Sequence, residues 1–155
     1  MLVQGESPGS GLALDADYAY YASASTIKRV PLFGGSAENL TDSAARIRSM
    51  DVDAETLAWS EESDLLFGQP TGKSSIKTMP KSGGTPATLV SNLNVPNSIL
   101  LDSDFVFFSA SAGSSDGSST SLPGPANVAG KIARRGAAPV FYPTTGCSAG
   151  SLYSS

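Results

Sequence analysis

The feature that most constrains this chain is an internal repeat, because three segments align when the sequence is compared with itself. They begin with LALDADYAYYAS at Leu12, RSMDVDAETLAWS at Arg48 and SILLDSDFVFFS at Ser98. Each segment is an apolar run that ends in Asp-x-Asp and leads into an aromatic box. Repeats of roughly 40 to 50 residues indicate a modular fold in which every copy is one supersecondary unit.

A second block follows each of these segments. STIKRVPLFGG at 25–35 matches SSIKTMPKSGG at 74–84 in its Ile, Lys, Pro and Gly pair, and GKIARRGAAP at 130–139 is a shorter third copy. The runs are β-branched or aromatic, and Gly and Pro interrupt them too often for helices. Each unit is therefore predicted to hold four short strands: A (ending in Asp), B (the aromatic box), C (Ile-Lys-x-x-Pro) and D (after Gly-Gly).

The string LxxD, YY and IKRVPLFGG resembles the blades of six-bladed bacterial β-propellers related to the YWTD, NHL and TolB-like groups. The resemblance covers about residues 12–142 and implies an all-β fold: three four-stranded antiparallel sheets, which are half of a six-bladed propeller. It implies no catalytic residue, because these groups share a scaffold and not a chemistry. We expect one domain over 1–155, with blades at about 11–42, 47–91 and 97–142, and blade-junction segments at 1–5 and 143–155.

Three blades are too few to close this ring, since six blades of about 45 residues need roughly 270 residues. An open arc would expose the apolar flanks of its first and last sheets. Two arrangements solve this problem. The chain forms a homodimer about a two-fold axis that closes a six-bladed ring, or it is joined to the remainder of a longer propeller.

Composition excludes some classes of partner. The net charge is −4 and no basic cluster is present, so the chain lacks the electrostatic footprint of a nucleic-acid-binding protein. No apolar run reaches the roughly 18 residues of a membrane span. MLVQGESPGS has no signal-peptide pattern, so localisation is open and would be extracellular or periplasmic only if a leader is missing.

The chain contains no His and one Cys, Cys147, which removes Ser-His and Cys-His nucleophile pairs and multi-cysteine metal sites. GQPTGKSS at 68–75 is not a phosphate-binding loop, because only three residues separate Gly68 from Gly72 and the motif requires four. We therefore predict no catalytic residue, no metal ligand and no cofactor, with Ca²⁺ as the one ion to consider.

The candidate ligand-binding or partner-binding residues lie in the connections between strands B and C. The last aromatic residue of strand B precedes the Ile of strand C by 6, 17 and 24 positions in the three units, with Ile27, Ile76 and Ile132 taken as equivalent. Loops on a rigid scaffold are common binding sites. The predicted residues are Glu61, Glu62, Asp64 and Phe67 in the second connection and Asp116 in the third; the alternative is that the acids face water and the apolar residues pack on the blade.

The repeated aspartates have a structural interpretation. Asp15, Asp51 and Asp102 are predicted to cap the A-to-B turns, because an Asp side chain bonds to nearby backbone amides. A ring of metal ligands is the alternative. For the whole chain we favour a non-catalytic module that binds protein or carbohydrate; the alternatives are a fragment of a lactonase-like or sugar dehydrogenase-like propeller enzyme and a purely structural assembly unit.

Overall fold

A computed structural model describes residues 8–23, 25–43, 45–62, 65–66, 69–70, 74–93, 95–111, 127–134 and 138–143. Over these residues the chain is all-β and forms three four-stranded antiparallel sheets together with one small hairpin. The predicted fold class is confirmed. In the same described ranges, no helix is long and apolar enough to cross a membrane.

Each sheet follows the chain in order from its first strand to its last. The first blade contains β1 (Pro8–Leu14), β2 (Tyr18–Ser23), β3 (Thr26–Pro31) and β4 (Glu38–Asp42). The second contains β5 (Arg46–Val52), β6 (Thr56–Glu62), the hairpin β7 (Leu65–Leu66) and β8 (Gln69–Pro70), β9 (Ser74–Pro80) and β10 (Ala87–Leu93). The third contains β11 (Val95–Leu101), β12 (Phe105–Ser111), β13 (Asn127–Ala133) and β14 (Val140–Pro143).

The first strand of the second sheet, β5, contacts the first strands of both other sheets, so it lies between β1 and β11. The aromatic strands β2, β6 and β12 come next in each sheet, since β-branched and aromatic side chains suit a pleated and largely buried surface. Among the described residues of each blade, this second strand has more buried side chains than the other strands, and Tyr20, Trp59 and Val106 are among them.

The apolar cores lie between neighbouring blades. The core between blades one and two is made by Ala13, Tyr20, Ala22, Ile27, Ile47, Met50, Leu57, Trp59 and Met79. The core between blades two and three is made by Ala58, Ile76, Val90, Leu93, Ile99, Val106, Phe108 and Ile132. Each fully buried large side chain contributes about 1.5 to 3 kcal/mol relative to exposure, so the blade junctions hold much of the stability.

The turn between the third and fourth strands depends on the Gly pair that the sequence analysis identified. Gly34 and Gly35 have φ angles of 98° and 144°, and Gly83 and Gly84 have φ angles of 101° and 140°. Side chains with a Cβ rarely adopt these angles. Gly83 N donates a hydrogen bond to Pro80 O at 2.9 Å, which closes the turn directly after β9.

Candidate functional site

The blades have two distinct faces, because alternate connections of an up-and-down sheet lie at opposite ends of its strands. We call the end with the turns between first and second strands, and between third and fourth strands, the turn face. We call the opposite end the loop face; it carries the connections between second and third strands. The functional candidates divide between these two faces.

An aspartate begins each turn between the first two strands. Asp15 N, Asp53 N and Asp102 N donate to the carbonyl oxygen three residues later at 3.0, 3.0 and 2.9 Å. Asp15 Oδ1 accepts hydrogen bonds from Asp17 N at 2.9 Å and Tyr18 N at 2.7 Å. Asp53 Oδ1 accepts the equivalent bonds from Glu55 N and Thr56 N, while Asp102 Oδ1 accepts from Ser103 N.

The second turn corrects the predicted position of its aspartate. Asp51 does not cap this turn; it lies two residues earlier, inside β5, and Asp53 takes the turn position. The carboxylate of Asp51 instead joins two blades, because its Oδ2 accepts a hydrogen bond from Leu101 N of β11 at 2.7 Å. Ser49 Oγ accepts a similar bond from Ile99 N at 3.2 Å.

Two ion pairs connect these turns to the next blade. Lys81 Nζ, just after β9, lies 2.8 Å from Asp15 Oδ2 of the first blade. Arg134 Nη2, just after β13, lies 2.5 Å from Asp53 Oδ2 of the second blade. Lys81 and Arg134 occupy equivalent backbone positions, since their amides donate to Glu55 O and Asp104 O respectively. In both turns, therefore, Oδ1 caps the blade's own turn and Oδ2 binds the following blade.

The Asp15 carboxylate is strongly stabilised in its charged form. Burial alone would raise its pKa, but hydrogen bonds from Lys81, the turn amides and Tyr20 outweigh this and lower the pKa from 3.8 to about 2. Tyr20 Oη donates to Asp15 Oδ2 at 3.0 Å. Burial and this contact with Asp15 raise the pKa of Tyr20 to about 12. This group of residues is suited to holding two blades together.

The loop face carries two of the predicted binding residues in a different setting from the one expected. Glu61 and Glu62 are the last residues of β6 and are buried, with 5% and 8% exposure. They end a buried strand, so the alternative that these acids face water is wrong. A role of Glu61 and Glu62 in ligand or partner binding stays a prediction. Asp64, Phe67 and Asp116, the other predicted binding residues, lie outside the described residues.

Glu61 is the centre of a polar cluster that joins three parts of the chain. Its Oε1 accepts hydrogen bonds from Ser43 Oγ at 2.7 Å and Trp59 Nε1 at 2.9 Å, and its Oε2 lies 2.8 Å from Lys77 Nζ. Burial alone would raise the pKa of Glu61, but the hydrogen bonds from Lys77, Trp59 and Ser43 lower it below its usual value.

Glu62 is paired in a similar way. Arg48 Nη1 contacts both of its carboxylate oxygens, at 3.1 and 3.0 Å. Buried carboxylates with such partners are held in one position. The two glutamates therefore anchor the point at which the connection 63–73 leaves the sheet.

The turn face also contains a shallow cleft of about 310 Å³. Its lining comes from the second blade and from Arg134 of the third: Glu55, Thr56, Thr78, Met79, Pro80, Thr85, Ala87 and Arg134. Sequence analysis did not find it, because the residues that surround it are far apart in the chain. Over the described ranges, no three His, Cys, Asp or Glu residues are grouped so that they could hold a metal ion.

Comparison with solved structures identifies the fold. A chain from the crystal structure of the nidogen/laminin complex matches 81% of this chain with a TM-score of 0.59 and 20% identity, over 43% of its own length. A mutant of Synechocystis apocarotenoid oxygenase matches 91% with a TM-score of 0.55 and 12% identity, over 40% of its length. These neighbours are β-propellers.

The chain has the fold of β-propeller blades. The computationally designed Ika4 protein is also similar: it matches 92% of this chain, over 96% of its own length, with a TM-score of 0.50 and 12% identity. The chain spans less than half the length of the matched nidogen/laminin and oxygenase chains. No family model and no curated protein matches the sequence. At these identities the likeness shows the fold alone.

Proposed function

We propose that this chain is a non-catalytic binding module, in which the loop face of its propeller blades holds a protein or carbohydrate ligand. The observation that carries this proposal is the unequal length of the connections on that face. The connections from the second to the third strand of each blade contain 2, 11 and 15 residues. By contrast, the turns at Asp15, Asp53 and Asp102 all have the same length, because each closes with a hydrogen bond to the carbonyl oxygen three residues later.

A constant scaffold with variable connections at one end is the arrangement in which binding sites commonly arise. Ion pairs join the blades on the turn face. The connections that differ most in length lie on the opposite face. On the loop face, the buried contacts of Glu61 and Glu62 hold the end of β6 in place, directly before the 63–73 connection. This anchoring favours binding, because an ordered base reduces the entropy that a ligand contact must overcome.

The class of ligand follows from the chemistry of the two long connections. The 63–73 connection contains one acidic residue, Asp64, beside the apolar residues 65–67, and the 112–126 connection is rich in Ser and Gly. Such mixtures present hydroxyl and carboxylate groups for hydrogen bonding beside apolar contact area, which suits a polypeptide or a sugar. One neighbour of the same fold was solved as a complex of nidogen with laminin, which makes a protein ligand a reasonable first choice.

The proposal is tested by screening the intact chain on a glycan array and a protein array. The key variant replaces residues 113–125 with a short Gly-Ser linker. The matched control is Phe33→Ser, which removes the 91% exposed aromatic side chain from the turn face. We expect a ligand that binds the intact chain and the Phe33→Ser variant equally, and that binds the loop replacement at least tenfold more weakly.

Two results would contradict the proposal: absence of any ligand on both arrays, or a ligand whose affinity falls with Phe33→Ser and not with the loop replacement. Calorimetric titration with Ca²⁺ separates the enzyme alternative from the binding module. Tight Ca²⁺ binding without a glycan or protein ligand would favour a fragment of a propeller enzyme.

A further inference from the structure

The outward face of the third blade carries a group of exposed apolar residues beside Lys131. Its members are exposed large hydrophobic residues, with Leu100 63%, Phe107 37%, Val140 47% and Tyr142 47% exposed. Strand register places them on one side of the sheet, because Leu100 pairs with Phe107 and both Phe107 and Val140 pair with Lys131. We call these four residues the third-blade flank. The opposite side of the sheet, with Ile99 and Phe108, packs against the second blade.

The positions equivalent to Phe107 in the other two blades are buried. Phe107 lies five residues after the turn aspartate Asp102, and the residues five positions after Asp15 and Asp53 are Tyr20 and Ala58. Both are fully buried, with 0% exposure, where the next blade covers them. The third-blade flank therefore corresponds to the side of the first and second blades that packs against the following blade.

The turn aspartates of the three blades can be compared in the same way. Asp15 Oδ2 and Asp53 Oδ2 each bind a basic residue of the following blade, Lys81 and Arg134. Asp102 is the third aspartate in this series, and its Oδ1 accepts hydrogen bonds from the backbone and side chain of Ser103. Among the residues that the structure describes, Asp102 forms no ion pair.

We propose that the third-blade flank binds a further four-stranded blade that carries Lys or Arg at the position of Lys81 and Arg134. The apolar flank supplies the contact area, and Asp102 selects the partner by its charge. This contact would lie at the edge of the blade array and would not involve the loop face. An unmodified second copy of this chain does not meet the requirement, because Leu32 occupies the equivalent position in its first blade.

Leu32 is equivalent to the two basic residues by its backbone contacts. Leu32 N donates to Asp17 O, as Lys81 N donates to Glu55 O and Arg134 N to Asp104 O. The inner strand of the first blade exposes Leu12 and Leu14, at 64% and 59%, which supplies an apolar surface for contact with the flank. A chain with Leu32→Lys is therefore a defined probe that presents the required base.

The experiment is sedimentation equilibrium of the intact chain at low salt. We expect Leu32→Lys to strengthen self-association about fivefold over the wild type, the upper range for a partly exposed ion pair. Adding Asp102→Asn to Leu32→Lys should reverse this gain, and adding Phe107→Asp should abolish association. Phe33→Lys is the matched control, because it places the same charge one residue away and should have little effect.

A second measurement does not depend on association. Asp102→Asn should leave the unfolding midpoint of the wild-type chain unchanged, whereas Asp53→Asn should lower it, because Asp53 pairs with Arg134 of the same chain. The proposal is overturned if Leu32→Lys associates no more tightly than the wild type. It is also overturned if Asp102→Asn destabilises the chain as much as Asp53→Asn.

Discussion

Lys81 Nζ lies 2.8 Å from Asp15 Oδ2 and so joins the second blade to the turn of the first, across 66 positions of sequence. The same relationship recurs one blade later between Arg134 and Asp53. Repeat proteins gain stability from interfaces between neighbouring units as well as from each unit alone. These two contacts make the turn face a continuous scaffold, from which the longer connections of the loop face extend.

Because Asp15 is charged in the folded chain, the free energy of unfolding should depend on pH in the acid range. The pKa of Asp15 in the folded chain is about 2, below the ordinary value of 3.8, so its contribution is fully present above pH 4 to 5 and is lost as pH falls through about 2. We expect Asp15→Asn, which keeps an oxygen for the turn, to lower the free energy of unfolding at pH 7 by about 2 kcal/mol.

Urea denaturation at pH 7 and near pH 2 measures this difference, which should shrink at the lower pH. Asp17→Asn is the control, because its exposed carboxylate lies in the same turn. An Asp15→Asn chain as stable as wild type at pH 7 would show that the ion pair with Lys81 is not stabilising.

Removing the Glu61 side chain should leave Lys77, Trp59 and Ser43 without their shared acceptor. Breaking a buried and paired group of this kind costs about 3 kcal/mol. We therefore expect Glu61→Ala to lower the free energy of unfolding by that amount. Urea denaturation monitored by Trp59 fluorescence measures this change. Glu38→Ala is the matched control: Glu38 pairs with Arg29 but is 56% exposed, so its loss should cost less than about 1 kcal/mol. Equal effects of the two variants would be inconsistent with a structural role for the Glu61 cluster.

Gly130 is required by the packing of the third blade. A Cβ at this position would lie 2.5 Å from Cζ of Phe108, which crosses over β13. Overpacking of a core costs about 1 to 3 kcal/mol, so Gly130→Ala should lower the free energy of unfolding in that range. Combining it with Phe108→Leu should cost less than the sum of the two single substitutions, as thermal unfolding of all three variants can show. If the effects of the two substitutions on the free energy of unfolding simply added, the clash at Gly130 would not involve the Phe108 ring.

Several parts of this fold could be predicted from the sequence. The aromatic boxes and the Gly pairs at 34–35 and 83–84 led to three four-stranded sheets, because strand-forming runs and positive φ angles are local properties. The register within the second and third copies was harder. MDVDAE contains two overlapping acidic pairs, and the prediction chose Asp51; the four-residue spacing from Asp15 to Ala19 would have selected Asp53, which precedes Leu57 by four.

Other features depended on contacts that sequence does not show. Ile132 was aligned with Ile27, yet it pairs with Val106 as Val30 pairs with Ala19, so Ile132 and Val30 are equivalent. The burial of Glu61 requires Ser43 and Lys77, which come from different parts of the second blade and its junction with the first. Ion pairs between blades join residues that are too distant in sequence for a local pattern to reveal them.

A turn aspartate in one blade and a basic residue in the next stabilise the junction between the two blades. The most direct measurement is a double-mutant cycle of Asp53→Asn and Arg134→Met in urea denaturation. Because both side chains are mostly buried, at 28% and 19% exposure, we predict a coupling energy of about 1 kcal/mol. A coupling energy near zero, with the two single effects simply adding, would show that this ion pair does not stabilise the junction between the blades.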